Sequence, residues 1–222
     1  MPHTDALSEN AEEYLEAIHR LSDRPGGAST TSLARHLRVT PASVTGMLRR
    51  LRELGMINYR RYRSIALTED GRQRAHDLIR RHRLAERLLT DVLKVPLDEA
   101  HQEACRLEHA VSPRLEQRMA DALGSPESCP HGHPMDLDAA DAAVSLLDAP
   151  LSVDLVIARL DNESPDIVRH LSERGLLPGA GVIVRERDLT AGTVAVETSG
   201  KTHTLGVGIA ETVCVRAPRR NH

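Results

Sequence analysis

Apolar positions recur at helical spacing through Tyr14, Leu15, Ile18 and Leu21, behind a serine N-cap candidate at Ser8, so residues 8–22 predict an amphipathic helix. The Pro-Gly-Gly run at 25–27 ends it. STTSLARHL then opens a second helix from its own Ser/Thr cap region. A short turn, RVTP, leads to Thr40 and Pro41, an N-cap and a first-turn proline for a third helix, ASVTGMLRRLRELG, which Gly55 closes. Two short helices separated by about three or four residues have helix-turn-helix spacing. MINYRRYRSIALT alternates in strand fashion around a basic centre. TEDGRQRAHDLIRRHRLAERLLTDVL continues as a long helix with a capping-box-like start at Thr68. Helix, turn, helix and hairpin together describe a winged helix.

DEAHQEACRLEHAVSPRLEQRMADALG predicts two more helices, broken near Ser112 and Pro113, with Leu107, Val111, Leu115, Met119 and Leu123 as an apolar stripe. Residues 124–150, rich in Pro, Asp and Ala, predict a linker with one weak helix. Beyond it the texture changes to short β-branched segments with Gly turns: LVIARL, VIVRERD, TVAVETS, KTHTLG and ETVCVRA, with one helical piece, SPDIVRHLSERGL. Such a run of about seventy residues is enough for a small barrel. The expected fold class is mainly α with small β parts. Residues 1–74 form the winged helix-turn-helix, 75–148 a helical domain with its linker, and 149–222 a β-barrel.

Charge adds a partner to this outline. The formal net charge is -3, but the stretch from Arg35 to Arg83 holds 13 Arg against 4 acidic residues, a net of +9 that leaves -12 elsewhere. A basic segment on an acidic chain suggests a polyanion. Phe and Trp are absent, and only Tyr14, Tyr59 and Tyr62 are aromatic, so a stacking platform for single strands is not expected and duplex DNA is the better candidate. On the third helix Thr40, Pro41, Ala42, Ser43 and Thr45 are small enough at its N-terminal end to approach base edges, while Arg49, Arg50 and the wing residues Arg60, Arg61 and Arg63 suit phosphates. The bland alternative is a solvated basic face.

Three cysteines, Cys105, Cys129 and Cys214, at irregular spacing argue against a disulfide framework and for a reducing compartment. With no signal peptide and no apolar run of membrane-spanning length, the expectation is a cytoplasmic protein with no membrane partner. EACRLEH sets Cys105, Glu108 and His109 at i, i+3 and i+4, on one face of a helix that also carries His101. Glu13 and Glu16 lie near one another on the first helix, and His82 and Glu86 are i, i+4 on the fourth. Thiolate, carboxylate and imidazole on shared faces form an incomplete transition-metal shell, although each pair alone is compatible with a solvated or structural role. CPHGHP at 129–134 is a second such tract, with Cys129, His131 and His133, equally readable as a structural loop because no further CxxC-type pair lies nearby. Nothing marks an oxyanion hole or a substrate pocket, so neither catalytic residues nor a small-molecule substrate is expected.

AEEYLEAIHRL, VTPASVTGMLRRLRELGMI, HRLAERLLTDVL, EACRLEH and CPHGHP together resemble the diphtheria toxin repressor family of iron- and manganese-dependent transcriptional regulators. RGLLPGAGVIVRERD resembles the SH3-like (FeoA-like) barrel of its longer members. The resemblance implies a winged-helix DNA-binding domain, a helical dimerisation and metal-binding domain, and a tethered barrel. It also implies a homodimer that binds double-stranded operator DNA when loaded with metal and so controls metal-homeostasis genes. The implied primary site uses Glu13, Cys105, Glu108 and His109, joined by Glu16 and His82 in a manganese-type binuclear arrangement. The implied ancillary site uses His82, Glu86 and His101, or in some manganese-responsive relatives Cys129 and His131 beside Glu86, with barrel carboxylates Glu163 and Asp166 nearest to finish it. The chain departs from both branches: the iron type has Met where Glu13 stands, and the manganese type has a carboxylate where Cys105 stands. The hard carboxylate at 13 favours Mn(II) or Fe(II) over softer ions, and Mn(II) is taken narrowly ahead of Fe(II). Two alternatives from the residues themselves are a metallohydrolase using the same ligands and a winged-helix regulator insensitive to metal.

Overall fold

The computed structural model describes residues 7–22, 27–59, 65–139 and 142–218. The chain divides into two compact units, Met1–Arg81 and His82–His222.

The first unit starts with α1 (Glu9–Ser22), α2 (Thr30–His36) and α3 (Pro41–Glu53). Their ends are set by local chemistry. Ser29 caps α2 in a reciprocal capping box with Ser32, and the Thr40 side chain accepts from the Ser43 N–H at the start of α3, with Pro41 in its first turn. Gly55, at φ 74°, takes the left-handed conformation just past α3. β1 (Ile57–Asn58) and β2 (Ala66–Leu67) pair antiparallel as the base of the wing. Arg60, Arg61 and Arg63 lie outside the described residues. Tyr14, Leu15 and Ile18 of α1, Leu33 of α2 and Val44, Leu48 and Leu51 of α3 close one core with Ile57 and Ile65.

α4 (Glu69–Arg87) begins at Thr68, whose Oγ1 accepts from the Gly71 N–H at 3.1 Å and donates to the Gly55 carbonyl at 2.7 Å. The α-helical pattern expected to continue to Leu93 stops at Arg87. Leu88–Val92 forms a π-helical turn, in which the Thr90 hydroxyl donates to the Glu86 carbonyl at 3.0 Å and competes for the helical ladder. α5 (Leu97–Leu107) and α6 (Pro113–Ala122) follow, separated by a 3-10 turn at Glu108–Ala110 and a Ser112 cap. Leu84, Leu89, Ala104, Val111 and Met119 pack together with Cys129 and Met135. The stripe foreseen on α5 and α6 is split, because Leu107 and Leu115 are exposed while Val111 and Met119 are buried.

The stretch expected to be a linker is structured. Cys129 and His131 are buried, Ser128 bridges Pro134, and no helix occurs among the described residues of 124–150. β3 (Val144–Ser145) already belongs to the C-terminal sheet. That sheet adds β4 (Asp154–Leu160), β5 (Gly181–Asp188), β6 (Thr193–Thr198), β7 (Lys201–Gly206) and β8 (Val213–Arg216), with short helices α7 (Pro165–Ser172) and α8 (Val207–Ala210). Its order is β3-β8-β4-β5-β6-β7, every pairing is antiparallel, and its core is Leu155, Ile157, Val182, Val184, Val194, Val196, Val213 and Val215. Arg169 of α7 reaches Asp98 of α5 through Nε at 2.9 Å and Nη2 at 2.7 Å, one tie between the sheet domain and the helices of the same unit. No helix is long and apolar enough to cross a membrane among the described residues.

Leu48 is fully buried in the first core, so Leu48→Ala is expected to destabilise that unit by about 2–5 kcal/mol in urea unfolding. A loss below about 1 kcal/mol contradicts the packing described.

Candidate metal centre

The last turns of α4 place His82 and Glu86 on one face, both buried, with Glu86 completely shielded from solvent. α5 supplies His101 and Cys105. The CPHGHP loop supplies Cys129 and His131, and Glu163 comes from the turn between β4 and α7. All of these lie in the second unit.

The loop is seated by its backbone. Arg87 Nε donates to the Ser128 carbonyl at 2.7 Å, and Arg83 also donates to the Pro134 carbonyl. On the other side the Leu160 N–H donates to the His131 carbonyl at 2.9 Å. Gly132, at φ 91°, lies so close to β4 that an added Cβ would stand 2.1 Å from the Ala158 carbonyl oxygen; only glycine fits there. His133 Nε2 donates to the Leu160 carbonyl at 3.0 Å and stands 3.2 Å from Glu163 Oε1. Asn162 Oδ1 accepts from the Ser164 N–H at 3.1 Å, which holds the turn carrying Glu163.

His82 Nδ1 lies 2.5 Å from Glu108 Oε2. A carboxylate can only accept, so Nδ1 carries a proton, and Nε2 presents a lone pair only when it gives up its own proton to a cation. That Nε2 faces Glu86 Oε1 at 3.1 Å and His101 Nδ1 at 3.1 Å. His101 Nδ1 in turn lies 3.4 Å from Glu86 Oε1 and 2.8 Å from Glu163 Oε2, while its Nε2 is 3.8 Å from Cys105 Sγ. His131 is fully buried. Its Nδ1 is 3.1 Å from Glu86 Oε1 but not in hydrogen-bonding geometry, so both ring nitrogens and Glu86 Oε2 have no hydrogen-bond partner.

Lone pairs crowded this way repel unless protons or a cation lie among them. With protons alone, burial pushes His101 down, but Cys105, Glu163 and Glu86 outweigh it and lift its pKa to about 11. His82 is raised in the same way: burial opposes it, and Cys105, Glu108 and Glu86 prevail. Burial raises Glu86 and Glu163, yet their histidine partners hold both well below the ordinary carboxylate range. Burial and the neighbouring Glu86 and Glu163 push the Cys129 thiol up, whereas for Cys105 burial is outweighed by His101 and His82, which lower it.

The donor chemistry fits a divalent ion. Atoms sharing one ion at about 2.1 Å stand about 3 Å apart, close to the His82, His101 and Glu86 spacings. Donor atoms of His82, Glu86, His101 and Glu163 all lie within 4.8 Å of one another, as do those of Glu86, Cys129, His131 and Glu163, and those of His82, His101 and Cys105. His133, read with Cys129 and His131 as one tract of CPHGHP but absent from the ligands the resemblance implies, faces Glu163 Oε1. Asp166, by contrast, is almost wholly exposed in the first turn of α7 beside Arg169, and the expectation that it finishes the site is not met. The expected Cys105, Glu108 and His109 face is also altered. The α-helix ends at Leu107, so Glu108 and His109 sit on a tighter turn: Glu108 is buried against His82, and His109 Nε2 is 3.5 Å from Glu108 Oε1. Of the α1 residues, Glu13 is half-buried, and Glu16 is buried and accepts from Arg20 at 2.8 Å. On α3, Thr40, Pro41, Ala42, Ser43, Thr45, Arg49 and Arg50 are all exposed.

Residues 6–65 match the family described as "Iron dependent repressor, N-terminal DNA binding domain", residues 68–137 "Iron dependent repressor, metal binding and dimerisation domain", and residues 144–217 the FeoA domain. The chain is 32% identical over 194 residues to the iron-dependent repressor IdeR of Mycobacterium leprae, covering 80% of this chain and 84% of that one. It is 28% identical over 221 residues to the diphtheria toxin repressor of Corynebacterium diphtheriae, covering 93% and 96%. Among solved structures, a manganese-dependent transcriptional repressor in complex with manganese matches with TM-score 0.86 and 30% identity, over 94% of this chain and 100% of that one. ScaR with bound Zn2+ matches with TM-score 0.82 and 27% identity, over 94% and 100%.

The thiols provide a direct check on these environments. At neutral pH, iodoacetamide should alkylate Cys105 at least about tenfold faster than Cys129 or Cys214, which are buried with raised pKa values. Peptide mapping reads the rates, and equal rates for the three contradict the geometry.

Proposed function

The chain belongs to the iron-dependent repressor family that includes the diphtheria toxin repressor, and on that premise we propose a repressor that binds double-stranded operator DNA as a homodimer when loaded with Mn(II), with Fe(II) the next best ion. The observation that carries the metal reading is the cluster around Glu86, where a fully buried carboxylate oxygen and both nitrogens of His131 lack hydrogen-bond partners.

His82, Glu86, His101, Cys129, His131 and Glu163 would hold the ion. Glu108 orients the His82 ring and Cys105 faces the far nitrogen of His101, the kind of outer contact that fixes a ligand's tautomer. A bound divalent ion supplies the positive charge that the buried carboxylates otherwise take from protonated imidazoles. Carboxylates and imidazoles suit Mn(II) and Fe(II), while raw affinity favours Zn(II), so availability contributes to selectivity. The family resemblance implies a further ion on Glu13, Glu16, Cys105, Glu108 and His109, where Glu108 and Cys105 would be ligands as well as neighbours of His82 and His101.

For DNA, the small residues Thr40, Pro41, Ala42, Ser43 and Thr45 approach base edges, and Arg49 and Arg50 take phosphates, with Arg60, Arg61 and Arg63 assigned to the wing. Exposed Val92, Leu93, Leu107 and Leu115 on the helical segment support a dimer contact. The division into 1–74, 75–148 and 149–222 is offered as the working arrangement of DNA-binding, metal-binding and FeoA-like segments. An ion that binds the DNA-competent state more tightly than its alternatives converts metal concentration into operator affinity.

A mobility-shift titration with operator DNA tests this reading. Mn(II) or Fe(II) should raise affinity about 5–150-fold over chelator, and Glu86→Gln should remove most of that gain. Arg49→Ala with Arg50→Ala should weaken binding to every sequence and flatten the salt dependence. Equal affinity in metal and in chelator contradicts the proposal.

A further inference from the structure

Gly46 lies in the interior of α3 with no cause inside the chain. Gly71 could not carry a side chain, because a Cβ there would stand 1.9 Å from the Met56 carbonyl oxygen, and Gly55 takes the left-handed conformation. Gly46 has α-helical backbone, and a Cβ added to it meets no atom of the chain within 4 Å. Glycine in a helix interior lowers stability relative to alanine, since it gives up more backbone freedom on folding. The first unit carries that penalty at an open position. Val44, Leu48 and Leu51 form the buried face of α3. At about 100° per residue, Ala42, Gly46 and Arg49 fall on the opposite side, and all three are exposed. The hydroxyls beside them are turned back onto the helix: Thr45 Oγ1 donates to the Pro41 carbonyl at 2.9 Å, and the Thr40 and Ser43 hydroxyls bond one another at 2.9 Å. The outermost surface of α3 is therefore a nearly bare strip of backbone and methyl groups that ends at Arg49 and Arg50.

We propose that Gly46 is a specificity-determining position: it lets the α3 backbone come into contact with base edges, and any side chain there holds the helix off the floor of the groove. The inference rests on the DNA reading above and deepens it. Arg49 and Arg50 attract the phosphates of every duplex and carry no sequence information. The bare strip discriminates by fit, because only base edges of the right shape and depth meet it. Gly46 thus weakens the free chain at the point where the complex needs the closest approach. That opposition of sign separates it from a glycine that serves the fold.

The test uses the full chain loaded with Mn(II) and two probes, the duplex that the wild type selects from a randomised library and an unrelated duplex of the same length. Gly46→Ala should lower affinity for the selected duplex about tenfold, and Gly46→Leu should lower it further, while affinity for the unrelated duplex changes less than about twofold. Hydrogen exchange of the free chain should move the other way, with α3 amides in Gly46→Ala exchanging about 2–5-fold more slowly than in the wild type. Unchanged affinity of both variants for the selected duplex overturns this inference alone, provided the wild type responds to Mn(II). Equal losses on the two duplexes also overturn it, since contact with base edges then plays no part. Faster exchange in Gly46→Ala assigns the glycine to the fold and has the same result. A wild type that selects no duplex in Mn(II) sinks the reading beneath, and this inference with it.

Discussion

A carboxylate with no access to solvent, Glu86, is the constraint around which the second unit is organised. An ionised group in that position is tolerable only with compensating charge and directed contacts. The chain supplies both from three separated segments: His82 one turn earlier on α4, His101 on α5, and His131 on a loop that glycine lets lie against β4. Helical packing and sheet register come together at that carboxylate. A change in its charge state is therefore felt by α4, α5 and the FeoA-like segment at once.

The same arrangement makes protons and metal competitors. In the metal-free chain, Cys105 and the neighbouring carboxylates outweigh burial and hold His82 and His101 above the ordinary histidine range, so the imidazoles keep protons that a ligand must give up. Metal affinity then rises with pH, because each histidine must be neutral to coordinate. The sign for folding is separate. The raised pKa of His101 contributes stability that is complete below its unfolded value of about 6.5 and fades as pH rises through about 11. The depressed carboxylates contribute stability above their unfolded values, lost as pH falls through the folded ones.

Much of this was legible in the residues. Thr40, Pro41 and Gly55 announce α3 because caps act locally, and β-branched runs after residue 150 mark the sheet for the same reason. The chemistry of EACRLEH was also legible, but not its geometry, since helical spacing gives no sign that the chain tightens into a 3-10 turn at Glu108. CPHGHP sits in a stretch whose Pro and Asp content reads as a linker. The loop is ordered by long-range contacts from Arg83, Arg87 and Leu160, to which local composition is blind. Glu163 and Asp166 are three residues apart in sequence; an Asx turn ahead of α7 sends the first inward, and the second lies exposed in the helix's first turn. The two ancillary ligand sets that resemblance offers as alternatives, His82 with His101 and Cys129 with His131, meet at Glu86, which only the fold reveals.

The central claim is that metal is held at this carboxylate junction. An anomalous difference map from crystals of the Mn(II)-loaded full chain, recorded at the manganese edge, tests it most directly. The account predicts density in contact with Glu86 between His82, His101 and His131. A well-ordered map with manganese elsewhere and none at Glu86 contradicts it.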